Sequence, residues 1–432
     1  MPINQKISIP RGTADILPSE VGKWRAVEIQ ARAVLNSYNY KEIRTPIFED
    51  IGLFKRSLGQ TSDVVNKQLL ELRSGKEDED GFALRPEGTA SIVRSYIEND
   101  LHKKESISKF FYIAPMFRGE RPQKGRLRQF HQIGAEAIGP GTLNPFLDAE
   151  MIALSANLLE SFGLSGYRIK INNLGTPEDK GKFSVYVRTN LINFVSSLCE
   201  DCQNRFERNV FRILDCKNKQ CMDIVNGLKL DNSFLSEGSR KYFDQVKSTL
   251  DSLKIPYVES FKLVRGLDYY NYTVFEITHS GLGSQDAIGA GGRYNNLVAE
   301  LGGGEKDITI GAIGFSLGFE RILLALGETQ TKEEGLDVFV AALDEKSFQK
   351  GFELLQELRK ANLSADIDYK MASLKSQMRM ADKYGANFVL ILGENEIQKG
   401  MITVKDMRKS SQEEIDLHNT AHLINLLKSR KG

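Results

Sequence analysis

The sequence contains no long apolar run. No stretch reaches membrane-spanning length, and the opening residues, "MPINQKISIP", lack the apolar segment of a secretory leader. A cytoplasmic protein with no membrane partner is the expectation. An excess of one charge is missing too. Lys and Arg number 58 against 57 Asp and Glu, so any nucleic-acid contact must rest on a local basic surface. Four cysteines in 432 residues exclude a disulfide scaffold. Common nucleotide and metallohydrolase signatures are absent: there is no G-x-x-x-x-G-K-[ST] and no H-E-x-x-H. Nor does a G-x-G-x-x-G open a helix after a strand. A nucleotide would have to bind without a P-loop or a Rossmann turn.

What is present reads as a globular chain of two or three domains, 41% hydrophobic and 27% charged. A helix is expected from near Ser19, and "KEIRTPIFE" is a short extended segment that Pro46 keeps from being a central strand. "SGKEDEDG" reads as a hairpin tip, and "FALRPEGTASIVRSYIEN" as strand, break, helix. "SKFFYIAPMFRGE" and "RLRQFHQIGAEAIG" form an antiparallel pair around a cationic loop. Residues from about 178 to 258 are helical and lysine-rich, carry all four cysteines and read as an insertion. After a polar linker, 327–335, strands alternate with helices. A small α/β domain with a mostly parallel sheet is expected at 336–432.

Side chains alternate along a strand, so Gln132, Gly134 and Glu136 share one face, while Ile133, Ala135 and Ala137 share the other. Arg118 has the parity of Tyr112 and Met116 on the neighbouring strand. An amide, a carboxylate and an arginine on one sheet surface suit a polar ligand. Taken alone, an internal ion pair at Glu136 explains them as well. The loop "RGERPQKGRLRQ" gathers Arg118, Arg121, Lys124, Arg126 and Arg128. Fixed cations of this kind stabilise charge on a phosphate, though a solvated hairpin has the same composition. Glu87 and Thr89 suit either a grip on an ammonium or a helix start.

"FALRPEGTAS", "MFRGERPQKGRLRQFHQIGAE", "LVRGLDYYNYTVFE", "GAGGRYNNLV" and "GFSLGFERI" occur in that order. The chain resembles the histidyl-tRNA synthetases, class II aminoacyl-tRNA synthetases, almost end to end. The resemblance implies an α+β fold: an antiparallel-sheet catalytic domain over 1–326 with a helical insertion, and a C-terminal α/β anticodon-binding domain. It implies that histidine attacks the α-phosphate of ATP, with Mg²⁺ on the phosphates, and that the adenylate passes histidine to tRNA(His). By that pattern Arg118 and Arg265 are catalytic and hold the α-phosphate. Glu120, Arg126 and Arg321 also serve ATP. Glu136 and Tyr270 face the imidazole, and Tyr269 and Tyr294 complete its pocket. Glu87, Gly88, Thr89 and Gln132 hold the α-amino end. Gln123 meets the acceptor end of the tRNA. Lys375, Arg379 and Lys383, four residues apart on one helix face, meet its phosphates or simply form a solvated basic face. A homodimer is implied.

Cys199, Cys202, Cys216 and Cys221 spell C-x₂-C and C-x₄-C. The second pair is loosely spaced, which favours reduced thiols over a zinc site. The rival to catalysis is a histidine-sensing regulatory subunit of ATP phosphoribosyltransferase. That relative lacks the C-terminal domain and parts of the ATP pattern, both of which are present here.

Overall fold

The computed structural model describes residues 7–430 apart from 60–61, 63, 73–80, 284, 304–308, 328–334 and 410. The chain forms two compact units, Met1–Thr329 and Gln330–Gly432. Most of the expected hairpin tip, 74–81, and most of the linker lie outside the described residues. The strands flanking the tip, Leu70–Leu72 and Phe82–Leu84, do pair antiparallel.

An eight-stranded sheet carries the first unit. In spatial order its strands are Lys41–Glu42, Ser108–Phe117, Gln129–Gly139, Gly311–Gly318, Ala287–Arg293, Asn271–His279, Tyr167–Asn173 and Val258–Glu259. Only the two edge pairs are parallel. The expected alternation positions everything else. Ile133, Ala135 and Ala137 pack with Ile152 and Leu158 of helix Pro145–Ser161, which frees the other face of their strand for Gln132 and Glu136. That helix is apolar on most sides and lies buried in the core. Asn144 caps it by accepting from the Phe146 N–H, and Pro145 occupies the first turn, where no N–H is needed.

Two expectations are corrected in this unit. The first helix begins at Pro18 with Leu17 as its cap, so Ser19 lies inside it. Proline suits that first turn because it has no N–H to leave unpaired. The stretch read as one insertion divides in two. Helices Pro177–Leu191, Glu200–Arg208, Phe211–Leu214 and Lys219–Gly227 pack together, whereas helix Glu237–Ser252 returns Phe243, Val246 and Leu250 to the main core. Helical, lysine-bearing sequence runs across that division, and packing is what separates the two parts.

The second unit holds a five-stranded sheet in the order Ala365–Ile367, Val338–Ala342, Phe388–Leu392, Met401–Asp406, Ser411–Asp416. The first three strands are parallel and the last two antiparallel, so the sheet is mixed. Ser411–Asp416 escaped notice because it is a charged, mostly exposed edge strand with little apolar alternation. Among the described residues no helix is long and apolar enough to cross a membrane.

Candidate functional site

The pairing of Ser108–Phe117 with Gln129–Gly139 brings Ala114 opposite Gln132 and Phe110 opposite Glu136. A cavity of about 450 Å³ opens beside this pair. Arg118, Arg126, Arg265 and Arg321 all line it, together with Glu120, Gln132 and Glu276.

Each arginine is held in place. Arg118 Nε donates to the Pro86 carbonyl at 2.9 Å, and its guanidinium lies 5.2 Å from the centre of the Phe130 ring. Arg321 Nε donates to Gly125 O at 2.8 Å and its Nη1 to Ala287 O at 2.5 Å. Arg126 pairs with Glu120. Arg265 Nη1 reaches Glu276 at 3.1 Å, while its Nε is buried without a partner among the described residues. Burial depresses the pKa of Arg118, and the Arg265 charge adds to this against the opposing pull of Glu87. Burial likewise depresses Arg321, with Arg126 and Arg118 adding to it. The cluster is short of negative charge, and an anion in the cavity would relieve it.

Beside this cluster lies a second one, buried and carboxylate-centred. Glu136 is 1% exposed. It accepts from Thr89 Oγ1 at 2.7 Å and from the Tyr294 hydroxyl at 2.5 Å. The Tyr269 ring lies 4.6 Å from Tyr270 and 5.6 Å from Tyr294, centre to centre, and all three are buried. None of these residues is on the cavity wall, which ends at Gln132 and Arg118. Gln132 Nε2 donates to Ser316 Oγ at 3.2 Å, and its Oε1 is buried with no partner among the described residues. Glycine makes the carboxylate's room: a Cβ at Gly314 would sit 1.6 Å from Glu136 Oε2. Gly88 clears Tyr112 in the same way, at 2.5 Å.

Glu87 takes the role of helix cap. Its carboxylate accepts the backbone N–H groups of Thr89 and Ala90 at 2.7 and 2.8 Å. Gly88 is the residue at the cap position, and the Thr89 hydroxyl serves Glu136 instead of the helix end.

Burial pushes the Glu136 pKa up to about 8, against the lowering effect of its Tyr294 and Thr89 bonds, while the Glu87 charge adds to the rise. A carboxyl raised above its usual 4.5 contributes stability in full below that value and loses it as pH climbs toward 8. Wild-type protein is therefore expected to lose stability across pH 4.5–8 relative to Glu136→Gln. The difference should grow by about 1.4 kcal/mol per unit inside the window. Denaturant melts of both at pH 6 and pH 8 check this; parallel behaviour would mean that Glu136 ionises freely.

Several residues of this site gave no signal in the sequence. Arg212, Asp215 and Lys217 reach the cavity wall from the helical segment. Lys180 Nζ donates to the carbonyls of Asp268 and Tyr270 at 3.0 and 3.2 Å, and Asn209 donates to Asp268 Oδ1 at 2.8 Å. These three contacts brace the "LDYY" turn from outside it. Arg85, 4% exposed, spends its guanidinium on the carbonyls of Thr45, Pro46 and Pro115. Gln123 does not line this cavity. It closes a tight loop with Arg126 and lines an adjoining depression with Arg11, Lys67 and Arg121, and Glu120 and Arg126 border both.

Residues 12–177 and 235–322 match the family model for histidyl-tRNA synthetase, and 337–426 match that of an anticodon binding domain. This chain belongs to the histidyl-tRNA synthetase family. A histidine–tRNA ligase from Halothermothrix orenii is 43% identical over 96% of this chain and 97% of its own length. One from a Geobacillus strain is 44% identical over 98% and 99%. The crystal structure of apo S. aureus histidyl-tRNA synthetase superposes with a TM-score of 0.78 at 36% identity, covering 98% of this chain and all of that one. The family model leaves 178–234 unmatched, the segment that carries the four cysteines.

The family's anticodon-domain match contains Lys375, Arg379 and Lys383. All three are exposed on helix Leu374–Lys383, opposite buried Gln377 and Ala381. Gln377 docks that helix by donating to Ala342 O and Ala372 O, both at 2.7 Å. Despite the loose spacing of the second pair, all four cysteine sulfurs lie within 4.8 Å of one another.

Proposed function

We propose that the chain is a histidine–tRNA ligase and that the cavity with four arginines on its wall is where ATP reacts with histidine. That convergence, from a loop, a turn and a helix far apart in sequence, carries the assignment. A histidine carboxylate oxygen attacks the α-phosphorus; the bond to the bridging oxygen breaks and pyrophosphate leaves with that electron pair. Charge builds on the α-phosphoryl oxygens, and Arg118 and Arg265 meet it. Arg126 and Arg321 hold the departing phosphates. Mg²⁺ would accompany the nucleotide; Glu120 and Glu276, now paired with Arg126 and Arg265, are the wall carboxylates that would offer it oxygen donors, and it would neutralise phosphate charge. The α-amino group is taken by Glu87, Thr89 and the free carbonyl oxygen of Gln132.

Glu136, with Tyr270 and Tyr294, recognises the imidazole. A buried carboxyl already satisfied by two hydroxyls must exchange a partner for a ring N–H. An isostere without that N–H would leave it unpaired. The second step moves histidine from the adenylate to the 3′ end of tRNA(His), with Gln123 contacting that end and Lys375 and Arg379 holding the anticodon stem. Exposed Ile47, Phe48, Leu72 and Phe82 around the three-stranded sheet of Phe48–Asp50, Phe82–Leu84 and Leu70–Leu72 support a homodimer contact, in a cytoplasmic enzyme.

Histidine-dependent exchange of pyrophosphate into ATP tests the first step. Histidine binding without exchange would select the regulatory-subunit reading. For Gln123→Ala, transfer to tRNA is expected to slow while exchange stays at the wild-type rate. Equal loss in both would remove Gln123 from the acceptor end.

A further inference from the structure

The catalytic reading leaves the four cysteines without a role. Cys199 caps helix Glu200–Arg208 and Cys202 lies in its first turn. Cys216 follows helix Phe211–Leu214, and Cys221 opens helix Lys219–Gly227, whose cap is Asn218. The two pairs thus come from two turns that face each other. The Cys199 and Cys216 sulfurs are 3.9 Å apart. A tetrahedral ion with metal–sulfur bonds of about 2.3 Å places its ligands roughly 3.8 Å apart. Four sulfurs within 4.8 Å leave room for one ion and not for an iron–sulfur cluster.

Two backbone N–H groups point at these sulfurs. Cys199 N–H donates to Cys221 Sγ at 3.2 Å, and Asn218 N–H donates to Cys216 Sγ at 3.4 Å. Donors aimed at sulfur favour the anionic thiolate, the form a metal takes, and they fix ligand orientation. Ordinary core packing explains buried Cys202 and Cys221 among Leu198, Phe206 and Val225. It does not explain why half-buried Cys199 and Cys216 turn toward them.

We propose that Cys199, Cys202, Cys216 and Cys221 bind one structural Zn²⁺ that holds the helical segment against the nucleotide cavity. Cys216 lies between Asp215 and Lys217, which both line that cavity, and Arg212 one turn earlier lines it too. Arg212 Nη1 would be 3.0 Å from a Cβ at Gly266, so the segment lies directly on the turn that carries Arg265. The helices around the cysteines are short, and four bonds to one ion would clamp their ends in addition to the packing of Leu198, Phe206, Ile213 and Val225. The consequence for ATP binding rests on the function proposed above; the metal site does not.

The test is metal content. Full-length, untagged protein is purified from zinc-supplemented cells without chelator and analysed by inductively coupled plasma mass spectrometry. The expected content is about one zinc per chain, falling below about a tenth in Cys216→Ser/Cys221→Ser. Cobalt exchange should give the absorption of a tetrahedral tetrathiolate, a readout that needs no variant to fold. Metal-free wild type that takes up no zinc after anaerobic reduction overturns the proposal, and so does iron in place of zinc. Zinc present with no pyrophosphate exchange would leave the site standing and sink the catalytic reading instead.

Discussion

Arg265→Ala is expected to lower histidine-dependent pyrophosphate exchange by about a hundredfold to a thousandfold, the usual loss when one fixed donor to a reacting oxyanion is removed. Stability should hardly change. Arg265 is paired with Glu276, and Lys170 Nζ lies 4.0 Å from the same carboxylate and can take over part of the pairing. Removing one of several clustered cations also relieves the repulsion that helps to depress Arg118. Arg265→Lys should recover little, because an ammonium cannot reproduce a planar fork that spans a carboxylate and a phosphate. Exchange kinetics beside a thermal melt decide the matter. Activity within tenfold of wild type would take Arg265 away from the reacting phosphate. A collapsed melt would make it a structural residue.

The largest stability effect is expected at Asp148. Asp148 and Arg293 have fully buried side chains. Arg293 Nε donates to both Asp148 oxygens at 3.0 and 3.3 Å, its Nη2 to Thr142 O at 2.6 Å and its Nη1 to Asn295 Oδ1 at 3.1 Å. The Tyr242 hydroxyl adds a bond to Asp148 at 3.1 Å. Asp148→Ala would strand a guanidinium in the core, at a cost of about 3–5 kcal/mol. In a unit spanning Met1–Thr329 that lowers the melting midpoint by roughly 4–7 °C. Asp148→Ala with Arg293→Met should recover much of the loss, since the expense lies in the orphaned charge and not in a missing attraction. Equal damage in single and double variants would put the cost in packing instead. Arg293 precedes Tyr294, so the single variant should also weaken histidine binding through the Tyr294–Glu136 bond.

The two variants differ in how visible they were. Arg265 stands in a run, "LVRGLDYY", too specific in composition to be accidental. Arg293 stands in one too, "GAGGRYNN", but that motif marks its tyrosine and says nothing of the arginine's partner. An arginine's partner lies wherever the chain folds back. Asp148 is 145 residues away on a mostly apolar helix that also carries Glu150 and Glu160, and nothing in the sequence marks which of the three meets a buried arginine. Lys180, Asn209 and Arg212 were invisible for the same reason. They are ordinary polar residues in or just beyond helices, and only the docking of those helices sends them to the "LDYY" turn.

By itself the sequence determined the alternation that puts Gln132 and Glu136 on one sheet face, the basic loop, and the family. All three depend on neighbours in the chain: strand period, loop composition and ordered motifs are local quantities. Tertiary structure alone decided that Thr89 and Tyr294 share Glu136, that the helical stretch divides before residue 237, and that four loosely spaced cysteines converge. Each of these is a long-range closure. Its geometry comes from the packing of whole elements, and chain spacing does not encode it.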